Sequence, residues 1–316
     1  MSVPFPTALQ NAQLLFSTAF MEGVESIKAK AATKLTWQQK AVEVNIAGQP
    51  TAVMGYLAEQ PKFRKWIGER DTKTLKVAGY TISTDKYEFE YSLSRDDVKF
   101  DRFQILAAHP RGAGRASALF YEDLVHTAQQ DGITNTCVDG QFYYDTDHPS
   151  GLDGSGATFS NRRTGTALTA DNVVSGIVIM SSLVDANGDN FGIMPNILEY
   201  GPGSWKTVRD ILNAEITATS FATAIGSELH STSNTMAGIL TPLLNPKLPT
   251  GQWYLHDTES SLKPFVLAVE EAPTGLEMRV DPLDEHVWRF DEFLFGARAR
   301  AGAGYGLPHT SQRNEA

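Results

Sequence analysis

Leu9, Ala12, Phe16, Phe20, Val24 and Ile27 recur every three or four residues, the spacing that lines one face of a helix. A polar, Lys/Ala-rich run ends that pattern. The face needs the body of the chain or a neighbouring copy to cover it. Val42, Val44 and Ile46 then alternate with Ala41, Glu43 and Asn45, which predicts a strand. Tyr87, Phe89, Tyr91 and Leu93 alternate with Glu88, Glu90 and Ser92, so aromatics fall on one side and acids on the other. With Tyr80 and Ile82 ahead of Ser83-Thr84-Asp85-Lys86, the segment reads as a hairpin. A two-stranded hairpin alone is marginal in water, so its aromatic face calls for cover, and another copy of the chain can supply it.

Helical spacing returns at Ala113, Ala116, Phe120, Leu124 and Ala128, after a break at Pro110 and Gly112 and before a stop at Gly132. Residues 150–166, rich in Gly, Ser, Asn and Thr, read as a loop. Asp171 can cap a helix carrying Val174, Ile177 and Val178. Ser204, after the Gly201-Pro202-Gly203 turn, can cap one carrying Val208, Ile211 and Leu212. Phe265–Val269, Glu277–Val280 and Val287–Phe295 are strand candidates. Residues 217–250 give no clear period.

Composition narrows the class. The chain has 316 residues, enough for more than one core, with 41% apolar and 20% charged positions. A net charge of −10 opposes a nucleic-acid reader, which carries a basic footprint, and aids solubility. Cys137 is the single cysteine, so an intrachain disulfide is excluded. No secretion signal is visible at Met1–Leu15, and no run reaches the ~18 apolar residues a membrane span needs. Synthesis and retention in the cytoplasm are expected.

Candidate chemistry is sparse. Asp145, Asp147 and His148 could form a metal site or an acidic hydrolase centre, but Asp is common in turns and Pro149 follows. Asp185-Ala186-Asn187-Gly188-Asp189-Asn190 starts like a calcium loop. It then has Asn190 at the sixth position where Gly belongs, and Asn196 at the twelfth where Glu belongs. Gly302-Ala303-Gly304-Tyr305-Gly306 lacks the helix that a phosphate cradle requires, and reads as a bend at a strand end. Glu270-Glu271 reads as a solvated pair. Tyr143 and its neighbours Phe142 and Tyr144 sit beside acids and read as strand packing, not a base-stacking platform. The expectation is no catalytic residue, no cofactor and no metal.

Three ordered stretches carry a resemblance. They are Trp66-Ile67-Gly68-Glu69-Arg70 with Gly79-Tyr80-Thr81-Ile82 and Tyr87–Asp97; Cys137-Val138-Asp139-Gly140-Gln141-Phe142-Tyr143-Tyr144-Asp145 with Asp147-His148-Pro149; and Asp291–Arg298 with Ala303-Gly304-Tyr305-Gly306. Together they resemble the major head subunit of Mu-like bacteriophages. The likeness is best over Tyr56–Pro149 and Asp284–Gly306. It implies an α+β fold of the Hong Kong 97 capsid type. Residues 1–35 would be an N-terminal arm and 36–102 an extended loop, a long β-hairpin. Residues 103–166 would be a peripheral domain with a long spine helix, and 167–250 an axial domain. Residues 251–316 would return through the peripheral β region to a C-terminal tail.

The resemblance also implies a structural protein that self-assembles as pentamers and hexamers around double-stranded DNA without reading its sequence. Its partners would be other copies of itself, a scaffold, a portal and decoration proteins. Its place would be the virion, after assembly in the host cytoplasm. Leu9, Phe16, Phe20, Trp66, Tyr87, Phe89 and Tyr91 are the candidates for contact between subunits. Residues 1–35 are expected to cross onto an adjacent subunit, and the polar tail Pro308–Ala316 to lie on the shell or a neighbour. A decoration or tail protein of the virion is the alternative within the structural class. An acidic hydrolase is the alternative outside it.

Overall fold

The computed structural model describes residues 5–30, 35–57, 77–99, 108–151, 154–185, 188–213, 216–223, 226–260, 262–281 and 283–316. In chain order the elements are α1 (Phe5–Lys30), α2 (Thr36–Lys40), β1 (Ala41–Asn45), β2 (Thr51–Leu57), β3 (Val77–Ser83), β4 (Asp85–Ser94), α3 (Arg95–Lys99) and α4 (Ala108–Asp131). Short strands β5 (His148–Pro149), β6 (Thr158–Phe159) and β7 (Arg162–Arg163) precede α5 (Ala170–Ser181), β8 (Ile197–Tyr200) and α6 (Trp205–Leu212). Then come β9 (Ile216–Thr223), β10 (Gly226–Ser233), β11 (Thr241–Leu244), β12 (Gln252–His256), β13 (Phe265–Glu271) and β14 (Glu277–Arg279). The chain finishes with α7 (Glu285–Phe290), β15 (Glu292–Tyr305) and β16 (Ser311–Glu315).

Two five-stranded sheets organise these elements. The first runs β1-β13-β15-β14, with β4 on the other edge of β15. The second runs β11-β8-β12-β16-β7. Helix α4, the long helix expected over 113–130, packs along the first sheet. Pro110 lies in its first turn, where a missing N–H costs nothing, and so does not delay its start. Tyr143 stacks on Tyr305 at 4.4 Å, and the Tyr305 hydroxyl donates to the Ala128 carbonyl. This core, with Val125, Tyr254 and Phe265, joins helix and sheets. A second core, with Val173, Met180, Leu198, Val208 and Trp253, lies between the second sheet and helices α5 and α6. Thr169, not Asp171, caps α5, accepting from the Asn172 amide.

Several expectations are corrected. Strands β3 and β4 are consecutive but not paired: β3 pairs with β2, from Thr51↔Ser83 to Leu57↔Val77, and β4 pairs with β15. Thr84 holds the switch, its amide and hydroxyl both donating to the Pro50 carbonyl and its hydroxyl reaching Glu270. The hairpin within 36–102 is therefore β2–β3, while β1 and β4 belong to the first sheet. Val287–Phe290 is helical, because Asp284 caps α7 by accepting from the His286 amide; the strand starts at Glu292. Glu270 is not solvated, for it bonds Arg300 and Thr84.

The run Gly302–Gly304 is strand interior. A Cβ on Gly302 would lie 2.0 Å from the Ser83 carbonyl oxygen, and one on Gly304 would meet Ile82. Glycine there lets β3 cross close over β15.

The termini differ most. Helix α1 lies along α4 of its own chain. Gly114 makes this possible, since a Cβ there would sit 2.0 Å from the Phe20 carbonyl oxygen. Phe16 and Phe20 are 1% and 3% exposed, and Phe16 meets Phe295 edge-on at 5.2 Å. The described part of the expected crossing arm thus packs in its own chain. The polar tail is an inner strand: β16 pairs with β12 on one side and β7 on the other. Some of its polar side chains find partners inside, while both polar atoms of the buried Gln312 side chain have none among the described residues. Ser311 bonds His256 and Tyr144, and the Arg313 guanidinium lies over the Tyr254 and Tyr144 rings. The second sheet therefore draws strands from outside 167–250.

Gly302→Val forces β3 off β15, and a loss of about 1–3 kcal/mol in urea unfolding is expected. Gly79→Ala, with nothing within 4 Å of its added carbon, is the control and should stay within about 0.5 kcal/mol.

Candidate functional site

The most concentrated chemistry in the molecule is a dry polar junction where α2, α4 and the second sheet meet. Helix α2 is fastened to α4 at both ends: the Trp37 amide donates to Glu122 at 3.1 Å, and Lys40 Nζ reaches Gln129. Glu122 and Gln129 stand seven residues apart, on one face of α4. Lys40 also donates to Glu199 Oε1 at 2.6 Å, and both side chains are 0% exposed. Glu199 sits on β8, the single acid in the buried run Ile197-Leu198-Glu199-Tyr200.

Four donors saturate that carboxylate. Lys40 and Asn245 Nδ2 reach Oε1; Gln129 Nε2 and His256 Nε2 reach Oε2, all at 2.6–2.8 Å. Burial raises the Glu199 carboxyl, but Lys40 and His256 outweigh it and hold the group well below the usual carboxylate range. Burial lowers His256, against the pull of Glu199. The neutral ring then carries its proton on Nε2 toward Glu199. Nδ1 accepts from Ser311 at 3.0 Å, and the Ser311 oxygen accepts from the Tyr144 hydroxyl at 2.8 Å.

Ser311, His256 and Glu199 have the connectivity of a hydrolase triad. All three are 0% exposed, so the hydroxyl cannot meet a substrate, and Lys40 already neutralises the acid. The arrangement is a fastening.

The other sequence candidates fall elsewhere. Asp145 and Asp147 do not pair with His148. Asp145 accepts from the Thr146 amide, and the carboxylate facing His148 is Asp139, at 2.7 Å. Asp185 closes its own loop, accepting from the Asp189 amide.

Of the contact candidates, Trp66 and the Leu9 side chain lie outside the described residues. Phe16 and Phe20 are corrected to core positions. Tyr91 stacks on Phe295 at 5.2 Å. Tyr87 and Phe89 are half-buried, and the Tyr87 ring meets Phe120 of α4 edge-on at 4.9 Å. They line an open groove of about 210 Å³ with Phe120, Pro273 and Ala297. It adjoins a cleft of about 840 Å³ whose lining includes Asp85, Asp123 and Asp131.

Sequence reasoning missed a second apolar surface, around α7, where Leu283 is 88%, Trp288 79% and Phe290 61% exposed. The alternation Val287-Trp288-Arg289-Phe290 imitates a strand and hid it. Among the described residues no helix is long and apolar enough to cross a membrane.

The family model of the Mu-like prophage major head subunit gpT matches residues 9–168 and 225–316. The chain belongs to this family. The major capsid protein of Escherichia phage Mu is 25% identical over 256 residues, covering 80% of this chain and 58% of that protein. The Mu-like prophage FluMu major head subunit of Haemophilus influenzae is 23% identical over 292 residues, covering 92% of this chain and 68% of that one. The chain thus spans under two thirds of the length of the phage Mu relative.

Among solved structures, a procapsid protein of bacteriophage JBD30 superposes with a TM-score of 0.56 at 22% identity, over 98% of this chain and 76% of that one. A mature capsid chain of bacteriophage PhiM1 gives 0.55 at 13%, over 88% and 86%. The Hong Kong 97 capsid type is therefore the fold of this Mu-like head-subunit relative.

Lys40→Met leaves Glu199 without its cation, and a loss of about 3–5 kcal/mol in urea unfolding at neutral pH is expected. Pairing it with Glu199→Gln should restore part of that loss. Because the folded Glu199 carboxyl is depressed, its contribution is fully present above the ordinary carboxylate value of about 4.3 and fades as pH falls below it. The acid limb of the stability curve should therefore be shallower in Lys40→Met than in the unaltered chain.

Proposed function

We propose that this chain is the shell-forming subunit of a Mu-like phage head, closing as pentamers and hexamers around double-stranded DNA. The observation that carries the reading is the match of a head-subunit family model to two long segments of the chain, 9–168 and 225–316. The fold supports it, for its likenesses to solved structures are to phage shells and to a virus-like particle of Pyrococcus furiosus (TM-score 0.54, 10% identity). The half-covered groove beside Tyr87 and Phe89 supplies a surface where a second copy can dock. Burying one such aromatic contributes roughly 1.5–3 kcal/mol, and many repeats of a weak contact hold a closed shell.

On this reading the chain works in the virion. A scaffold and a portal are its partners during assembly, and decoration proteins are partners outside. The net charge of −10 suits a wall that encloses DNA without gripping it. No catalytic residue and no cofactor enter the proposal.

The test is particle size, by gradient sedimentation and negative-stain microscopy of the chain expressed with its scaffold. The unaltered chain is expected to give capsomers, tubes or shells. Phe89→Asp is expected to give folded, soluble subunits with native circular dichroism and no shells. Normal shells from Phe89→Asp would remove the groove from the assembly interface. A small, fixed oligomer from the unaltered chain would remove the proposal itself.

A further inference from the structure

We propose that Cys137, Asp139 and His148 form a buried site for one divalent cation of the zinc class. This departs from the sequence expectation of no metal. The spacing Cys-x-Asp-x8-His matches no helical zinc motif, and only the folded turn brings the three together.

Their ligand atoms all lie within 4.8 Å of one another. A tight turn sets them: the Cys137 amide donates to the Gln141 carbonyl, the Gly140 amide to the Cys137 carbonyl, and Gly140 takes a φ of 86°. Cys137 Sγ is 3.0 Å from Asp139 Oδ1, and His148 Nδ1 is 2.7 Å from Asp139 Oδ2. The Asp139 and His148 side chains are 0% exposed and Cys137 is 5% exposed. Two carboxylate oxygens, a sulfur and a ring nitrogen therefore converge away from water. This mixed set suits zinc; calcium and magnesium prefer oxygen alone.

The hydrogen bonds say what must lie between these atoms. His148 Nε2 is 3.2 Å from the Tyr143 carbonyl oxygen, which can only accept, so Nε2 carries a proton. Nδ1 then faces a carboxylate oxygen. A bare lone pair there would be repelled, so a proton or a metal ion occupies the gap. The same holds between the Cys137 sulfur and Asp139.

A divalent cation can replace both protons. The Nδ1–H and S–H bonds break, two protons leave to solvent, and metal–nitrogen and metal–sulfur bonds form. The formal charge of the group is zero with both protons in place, whichever of Asp139 and His148 holds the one between them, and zero again after (metal dication, imidazole, thiolate, carboxylate). The exchange therefore adds no net charge to a buried site, where an unbalanced one costs most.

The surroundings match what orients metal ligands. The His148 Nε2–H is held by a backbone carbonyl, Asp139 Oδ1 accepts from the Gln141 amide at 3.1 Å, and Phe159 stacks on the imidazole at 5.2 Å. Zinc bonds of about 2.0–2.3 Å ask the two short donor pairs to part and any separation near the 4.8 Å limit to close.

The site is closed, so the chain is refolded from denaturant with zinc or cobalt(II), dialysed and assayed for metal. One ion per chain is expected, with a thiolate-to-cobalt absorption band, two protons released per ion, and a higher melting temperature. Cys137→Ser should lose the band, and Cys137→Ser and His148→Asn should each weaken binding by at least an order of magnitude. A refolded unaltered chain that retains no metal overturns the proposal, whether or not the variants fold. So does a cobalt complex whose spectrum and affinity survive Cys137→Ser.

Discussion

Glu199 is a charge sealed from water, and the chain is arranged to replace what water would supply. An isolated buried carboxylate costs several kcal/mol, so the fold delivers donors from α2, α4, β12 and the residue after β11 to its two oxygens. Those donors lie 46 to 159 residues away in sequence. Only one arrangement of these elements satisfies them all. A hydrophobic contact tolerates a slipped register, whereas a four-donor carboxylate does not. The junction therefore fixes how the first sheet, through α2 and α4, sits against the second. The buried tail extends the same network through Ser311, which is why a polar terminus becomes an inner strand.

Close approach is the second constraint. Gly114 admits α1 to α4, and Gly302 admits β3 to β15. Together they decide what remains on the surface. Helix α1 is spent on its own chain, and the described part of β2–β3 packs on the first sheet, Ala52 and Ile82 against Val266 and Ala268. The aromatic face of β4 is covered by α4 over part of its length, so the groove at Tyr87 and Phe89 stays open. In the proposed shell this groove and the apolar turn around α7 are surfaces left for other copies.

Local patterns in the sequence were enough to read α4, α6, β1, β4 and β13, because a 3.6 or 2.0 period reports a single buried face. The three ordered motifs identified the family. What the pattern did not disclose was pairing. Tyr80 and Ile82 look like the partner strand of Tyr87–Leu93, yet Thr84 turns the chain toward Pro50 and sends β3 to β2. Ser311–Glu315 has no apolar residue, and its burial depends on edges supplied by β12 and β7. Phe16 and Phe20 read correctly as an apolar face but wrongly as an intersubunit one, since periodicity says that a face is covered and not by which chain. The junction left a faint mark, one acid within Ile197–Tyr200, but nothing nearby names Lys40 as its partner.

Hydrogen exchange of the free, unassembled subunit tests most directly whether the junction binds the two sheets into one body. Amides of α4 near Gln129, of β8, of β12 and of β16 should open together, in one slow class that includes β13 and β15 of the first sheet. Two classes with separate opening free energies, and fast exchange at Glu199 and its neighbours, would contradict the account.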